Sequence, residues 1–265
     1  MSLLGVDEAP PFSVVNPSGT SPFLLTADHA GRRIPEACGD LGVSAADMER
    51  HIAWDIGIAG VTRALAAALD APAVLQTYSR LVIDCNRNPG VASAFPALSE
   101  ATRIPGNVGL SEADKLARRS AIFDPYHKQI SALIAARAGR QTIYVAMHSF
   151  TPVYCEVVRG MHVAVLYNRN PRVSHLLADM LRREPGLVVG ENDPYSVSDD
   201  SDYGVPVHAE RGGLDYVELE IRQDLIQDEA GQAQWAARLA RLLPLVVDKM
   251  RADELALGQY SGVER

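Results

Sequence analysis

The side chains of this sequence that are suited to chemistry lie where apolar runs end. They are His29 after residues 23–27, the Asp84–Cys85–Asn86–Arg87 stretch that ends residues 81–85, His148 after residues 142–147, and Glu218 and Glu220 within the alternating run 216–221. In open α/β sheets, ligands gather beyond the carboxyl ends of the strands. We therefore expect these histidines, carboxylates and arginines to meet at one edge of a sheet.

Such a group of side chains matches the needs of a hydrolytic zinc site. Two imidazoles and a carboxylate leave a fourth position for water, whose pKa the metal lowers to about 7. A further carboxylate can take the proton of that water, and an arginine can hold a substrate carboxylate or polarise a carbonyl. The sequence has no HExxH motif, so spacing alone leaves open whether each histidine is a ligand or a hydrogen-bonded structural residue.

Strand-like and helix-like segments alternate along the chain, which predicts an α/β fold of three layers, with a mostly parallel sheet between helices. The predicted strands are residues 23–27, 73–78, 81–85, 142–147, 162–167, 187–189 and 216–221. The predicted helices are residues 44–69, 111–137 (kinked or split at Pro125), 173–183 and 230–251 (kinked at Pro244). Two long loops, 86–110 and 192–213, complete a chain that we interpret as a single domain over 1–265, with its core at about 20–250.

The composition narrows the classes of function. The 265 residues include 25 Lys and Arg against 33 Asp and Glu, a net charge of −8, and no basic block. We therefore expect no nucleic-acid partner. Charges interrupt every long apolar window and no secretion signal is evident, so we expect neither a membrane span nor export. Three separated cysteines are typical of free thiols in a reducing cytoplasm.

Six segments, taken in order, resemble the N-formylglutamate amidohydrolase family. They are residues 28–31 (DHAG), 51–55 (HIAWD), 79–87 (SRLVIDCNR), 125–127 (PYH), 147–149 (MHS) and 218–222 (ELEIR). The resemblance covers about residues 20–250. It implies a zinc-carboxypeptidase-like fold, related also to aspartoacylases, and metal-dependent hydrolysis of the amide bond of an N-acylated amino acid.

The resemblance also implies roles for individual residues. His29 and His148 match the two histidine ligands of a divalent metal, which we expect to be zinc. Arg80 matches the arginine that polarises the scissile carbonyl, and Asn86 and Arg87 match the element that grips a substrate α-carboxylate. Glu220, or Glu218 beside it, matches the general base. We add Tyr126, His127, Ser149 and His208 as candidates for contact with substrate.

The third metal ligand is open, because the related enzymes have a glutamate where this chain has Arg32. His51 and Asp55 are four residues apart and would share one face of a helix over residues 44–69. We favour Asp55, then His51, then Glu36.

The sequence thus predicts a cytoplasmic, metal-dependent amidohydrolase that cleaves an N-formyl or N-acyl amino acid such as N-formylglutamate. One alternative is hydrolysis of another acyl-amino-acid or peptidoglycan-like amide. Another, suggested by Arg32, is a non-catalytic acid-binding module on a degenerate hydrolase scaffold. The oligomeric state is open.

Overall fold

A computed structural model of the protein describes residues 3–261. Its strands are β1 (Phe12–Val15), β2 (Phe23–Ala27), β3 (Ala73–Gln76), β4 (Leu98–Ser99), β5 (Thr102–Arg103), β6 (Ile143–Phe150), β7 (Val153–Tyr154), β8 (Val157–Val158), β9 (Val163–Leu166), β10 (Val189–Glu191) and β11 (Asp215–Arg222). Seven of them form one sheet in the order β1-β3-β2-β6-β11-β9-β10, while β4-β5 and β7-β8 are small hairpins. The β2, β3, β6 and β11 neighbours pair in parallel, as do β9 and β10, whereas β1-β3 and β9-β11 are antiparallel. The predicted mostly parallel sheet is confirmed.

Helices cover both faces of this sheet. They are α1 (Ala45–Met48), α2 (Ile58–Leu69), α3 (Glu112–Arg118), α4 (Asp124–Ala135), α5 (Arg172–Leu181) and α6 (Glu229–Ser261). Alternate residues of β6 belong to two separate cores: Val145 and Met147 pack with α2, α5 and α6, whereas Tyr144 and Ala146 pack with α4. Because side chains alternate across a strand, each face of the sheet has its own helical layer. The predicted three-layer α/β fold is confirmed.

Two predicted elements have a different form in the structure. Residues 44–69 are not one helix, because turns separate α1 from α2, and Gly57 precedes α2 with a φ of 81° that few other residues adopt. Residues 81–85 are not a strand. They belong to a turn segment, residues 79–90, which we call the arginine loop. Its backbone groups pair locally, for example Val82 N–H with the Ser79 carbonyl. The apolar side chains are buried as predicted, but burial alone does not make a strand.

Other boundaries differ in ways that matter less for the fold. A π-helical turn, Arg119–Phe123, separates α3 from α4, and Pro125 lies in the first turn of α4, so residues 111–137 are split as predicted. The strand β1 was not predicted, and β6 continues to Phe150, which places His148 inside the strand. Among the helices of the described residues, none combines the length and apolar character that crossing a membrane requires.

Candidate functional site

A cavity of about 600 Å³ lies at the edge of the sheet where β2, β6 and β11 end. The turn after β2, the two longer strands and the arginine loop contribute its walls. Of the residues singled out in the sequence, those that line it are His29, His51, Asp55, Arg80, Asp84, Asn86, Arg87, His148, Ser149, Glu218 and Glu220. The predicted meeting of these side chains at one sheet edge is therefore observed.

Three of these residues form a compact, buried group. The ligand atoms of His29, Asp55 and His148 all lie within 4.8 Å of one another, and each residue is 3% exposed. Asp55 lies between the two rings, with Oδ1 3.5 Å from Nδ1 of His29 and Oδ2 3.0 Å from Nδ1 of His148. We call these residues the metal cluster, because two imidazoles and a carboxylate are a usual zinc ligand set.

Asp55 reaches this position from a turn. The predicted helical face shared with His51 does not exist, since both residues lie between α1 and α2. The Asp55 N–H donates to the His29 carbonyl at 2.9 Å, and its Oδ2 accepts from the Ser149 N–H at 3.1 Å. His51 instead faces Glu100 at 3.4 Å, and Glu36 is exposed in a 3-10 turn. Of the three candidates for a third ligand, only Asp55 joins the metal cluster.

Two further carboxylates orient the histidine rings from behind. The Nε2–H of His29 donates to Asp84 at 2.8 Å, and Nε2 of His148 lies 3.6 Å from Asp28. Tyr126 in turn donates its hydroxyl proton to Asp28 at 2.5 Å. Carboxylates in such positions fix the tautomer and orientation of metal-binding histidines. Both rings thus present Nδ1 to Asp55.

The charges of this group attract a cation. Burial alone would raise the pKa of Asp55, but His29 and His148 hold that pKa below its ordinary value. Burial alone would lower the pKa of His148, but the nearby Asp28 carboxylate and the hydrogen bond with Asp55 raise that pKa well above the usual range. Within the part of the chain that the structure describes, Nδ1 of His29 is buried without a hydrogen-bond partner. A divalent metal fits this donor set.

Two buried glutamates lie beside the metal cluster on β11. Glu220 pairs in register with His148 on β6, and Glu218 pairs with Ala146. Burial raises the pKa of Glu218 to about 8 and that of Glu220 to about 7. The charge of His148 lowers both pKa values, and the charge of Asp55 raises that of Glu220. In each glutamate, Oε2 is buried with no hydrogen-bond partner in the described residues, so both can exchange protons with a molecule in the cavity.

The arginine loop supplies the cationic wall of the cavity. Arg80 donates to one oxygen of Asp84 through Nε at 3.0 Å and Nη2 at 2.7 Å, and its Nη1 lies 3.7 Å from Asp55. Asp84 therefore couples Arg80 to His29. Burial alone would raise the pKa of Asp84, but the charges of Arg80 and His29 hold it well below the usual range.

Asn86 and Arg87 tie the arginine loop to the long loop that precedes β11. The Asn86 side-chain oxygen accepts from the N–H groups of Tyr203 and Gly204 at 3.0 and 2.9 Å. Arg87 donates to the Ser201 carbonyl and lies 3.3 Å from an Asp202 oxygen. Both residues line the cavity, but part of their hydrogen-bonding capacity is already in use.

A buried polar network holds the arginine loop in its turn conformation. Arg118 of α3 donates to the Val82 carbonyl at 3.0 Å and to the Asn107 side-chain oxygen at 2.6 Å. The Asn107 amide donates to the carbonyls of Leu81 and Pro96 at 2.7 and 2.8 Å. These bonds satisfy backbone groups that a strand would have paired with a neighbour.

Three residues expected to contact substrate lie outside the cavity lining. His127 donates from Nε2 to the Cys85 carbonyl at 2.9 Å, and its Nδ1 lies 2.8 Å from Nε2 of His208. Burial lowers the pKa of His127 to about 3 and that of His208 to about 4, which keeps both rings neutral. Tyr126 touches Asp28 instead. Their positions do not match direct contact with substrate, because all three belong to the core under α4.

Ser149 does line the cavity, but its hydroxyl donates to the Ile56 carbonyl at 3.0 Å. Sequence reasoning missed Asp28, which faces His148, and Asp202, which faces Arg87. The sequence could have indicated Asp28, since it directly precedes His29 in the same segment. Asp202 had no such signal, because only the fold brings residues 86 and 202 together.

Comparisons with known proteins decide the family. The family model described as N-formylglutamate amidohydrolase matches residues 21–227. The chain belongs to this family. The resemblance seen in the sequence is thus confirmed, and the protein is a hydrolase that acts on the amide bond of a small-molecule substrate.

Two solved structures resemble this chain over most of its length. A gene product of Agrobacterium tumefaciens is 37% identical with a TM-score of 0.90, over 94% of this chain and 99% of that one. An N-formylglutamate amidohydrolase from Ralstonia eutropha is 19% identical with a TM-score of 0.65, over 92% and 100% of the two chains. The second likeness supports the fold alone. A sequence search of curated proteins finds no significant match.

Proposed function

We propose that this protein is a metal-dependent amidohydrolase that cleaves an N-formyl or N-acyl amino acid such as N-formylglutamate. The observation that carries the proposal is the buried metal cluster of His29, Asp55 and His148 in the cavity wall. Zinc is the metal we favour, because this ligand set is usual for catalytic zinc. When bound, the metal supplies Lewis-acid activation of water and of the amide carbonyl.

Glu220 is the residue we assign as general base. It faces the cavity in register with His148, and its Oε2 is free of hydrogen bonds within the described residues. In this position it takes a proton from the attacking water and later delivers that proton to the leaving amine. Glu218 is buried as well and lies two residues before Glu220 on the same face of β11, so it is the alternative.

Arg80 is suited to stabilising the negative charge that develops on the carbonyl oxygen. Asp84 occupies its Nε and Nη2, which fixes the guanidinium and leaves Nη1 beside Asp55. A fixed donor of this kind is typically worth about 2.7–4 kcal/mol in the transition state. Asp84 therefore acts as a positioning residue for both Arg80 and His29.

Arg87, with Asn86 beside it, is suited to holding the substrate α-carboxylate. Its Nη1 is engaged by Ser201 and Asp202, so the remaining edge of the guanidinium is what a carboxylate would meet. Because those bonds fix Arg87 before substrate arrives, little conformational entropy is lost on binding.

Release of formate from N-formylglutamate tests the proposal directly. We expect turnover that a chelator abolishes and that added zinc restores, together with about one equivalent of metal per chain. Turnover that persists after complete metal removal would contradict metal dependence. Absence of turnover with every N-acyl amino acid in a panel would contradict the substrate class.

A further inference from the structure

His51 lines the cavity without belonging to the metal cluster. It lies in the turn between α1 and α2, and its side chain is 19% exposed. Its Nε2 is buried and makes no hydrogen bond within the described residues, and a carboxylate oxygen of Glu100 lies 3.4 Å from it. No step of the proposed function uses this ring, although polar groups in a cavity wall usually orient a ligand.

Glu100 is held beside the His51 ring by Arg50. The carboxylate accepts from Nη2 of Arg50 at 2.6 Å, and Nη1 of the same guanidinium donates to Asp47 and to the Thr102 hydroxyl, each at 2.8 Å. These contacts tie the β4-β5 hairpin to the segment that carries the ring. Because a carboxylate beside Nε2 favours the proton on that nitrogen, the other ring nitrogen, Nδ1, keeps its lone pair.

The His51 ring is neutral, and its Nδ1 is unused. Burial lowers the pKa of His51; the charge of Glu100 opposes this shift, while the charges of neighbouring arginines reinforce it. Within residues 3–256, Nδ1 makes no hydrogen bond and, unlike Nε2, is not buried. The cavity wall therefore contains a neutral imidazole that can accept a hydrogen bond.

The substrate of the proposed function has one group that such an acceptor can bind. When the carboxylates of an N-acyl amino acid such as N-formylglutamate are ionised, the amide N–H is its sole hydrogen-bond donor. Arg80 and Arg87 can only donate, so neither guanidinium can receive this N–H. Transfer of the N–H from water into the cavity without a partner would cost free energy, which an acceptor in the wall would recover.

We propose that Nδ1 of His51 accepts a hydrogen bond from the amide N–H of the substrate, with Glu100 as the positioning residue for the ring. The proposal rests on the proposed function and adds a substrate contact to it. The bond fixes the orientation of the amide before water attacks. When the C–N bond breaks, the nitrogen keeps this N–H and gains its second proton from Glu220, so His51 holds the leaving amine as well.

The test compares N-formylglutamate with the formate ester of α-hydroxyglutarate, in which an oxygen replaces the amide N–H. In His51→Leu, we expect kcat/KM for the amide to fall about 10- to 100-fold, while that for the ester stays within about threefold of wild type. His51→Asn retains an acceptor oxygen near the place of Nδ1 and should recover part of the amide rate. A purely structural role would lower both rates equally, and that result would overturn the proposal.

His175→Leu is the matched control, because the His175 side chain is 52% exposed on α5 and does not line the cavity. We expect it to leave both rates unchanged. Calorimetry in the slow Glu220→Gln background keeps the test decisive if His51→Leu fails to fold. There the ester should bind at least about tenfold more weakly than the amide, because its oxygen faces the lone pair of Nδ1. Equal binding of the two compounds would overturn the proposal.

Binding also separates this proposal from the proposed function. If the wild type hydrolyses neither compound, the proposed function fails. A binding preference for the amide that His51→Leu abolishes would still support the contact with Nδ1, whereas a preference that survives in His51→Leu would overturn it.

Discussion

Replacing Asp84 with asparagine is expected to weaken metal binding and catalysis together. Each carboxylate oxygen of Asp84 accepts two hydrogen bonds: Oδ1 from His29 Nε2 and Asn86 N–H, and Oδ2 from Nε and Nη2 of Arg80. Asparagine keeps the size of the side chain but turns one of these oxygens into an NH₂ group. Whichever way the amide points, two donors then face a donor.

The size of the effect follows from these contacts. A hydrogen bond to a charged group contributes about 1.5–3 kcal/mol. If the NH₂ group faces His29, the ring is driven to the tautomer with its proton on Nδ1, the atom offered to the metal. Loss of an outer partner of a metal-binding histidine typically costs about 10- to 100-fold in metal affinity or activity. We expect Asp84→Asn to lose affinity in this range.

Competition with a chromogenic chelator measures the metal affinity, and formate release at saturating metal measures kcat/KM. Asp179→Asn is the matched control, since the Asp179 side chain is 66% exposed and, among the described residues, its one ion pair is with Arg182 at 3.7 Å. Thermal unfolding of both variants separates loss of the site from loss of the fold. Metal affinity and kcat/KM within about twofold of wild type in Asp84→Asn would refute the reasoning, because loss of the carboxylate partner of a metal-binding histidine should lower them by about tenfold or more.

Three further substitutions probe the base, the arginine loop and the turn after β2. Glu220→Gln should lower kcat by about 10²- to 10⁴-fold with metal content unchanged, as elemental analysis would check, and a kcat near wild type would exclude Glu220 as the base. Asn107→Ala removes the hydrogen-bond donor of the buried Leu81 carbonyl and of the partly buried Pro96 carbonyl, together with an acceptor of Arg118. We expect it to lower the free energy of unfolding by about 2–4 kcal/mol in urea titrations, whereas a loss near zero would contradict the role of this network. Gly31→Ala places a methyl group on the Thr77 carbonyl, so we expect a loss of about 3 kcal/mol, and unchanged stability would show that the turn has room.

The sequence predicted the layers of the fold and most of the cavity wall, because both depend on local patterns. Apolar runs marked β2 and β6, the alternating run 216–221 marked β11, and the rule that ligands gather at strand ends brought His29 and His148 together. Asp55 was selected from its place in a helix that does not form. The residue reaches the metal cluster through its backbone bond to His29, a contact that sequence spacing does not encode.

Where the structure differs from the sequence-based expectations, contacts between distant segments are the cause. Residues 81–85 are apolar and buried like a strand, yet Asn107 and Arg118 satisfy their backbone groups and make a loop of them. The sequence placed His127 near substrate because its helix could reach the cleft, and His208 because its loop, residues 192–213, could close over substrate. Their mutual hydrogen bond, across 81 residues of sequence, satisfies them in the core instead.

A crystal structure of the zinc-soaked protein, with anomalous data collected at the zinc edge, tests the central claim most directly. We expect one strong anomalous peak bonded to His29 Nδ1, His148 Nδ1 and an Asp55 oxygen, at distances of about 2.0–2.2 Å. An active protein whose anomalous peak lies away from these three residues, or whose cavity shows no peak at all, would contradict the account.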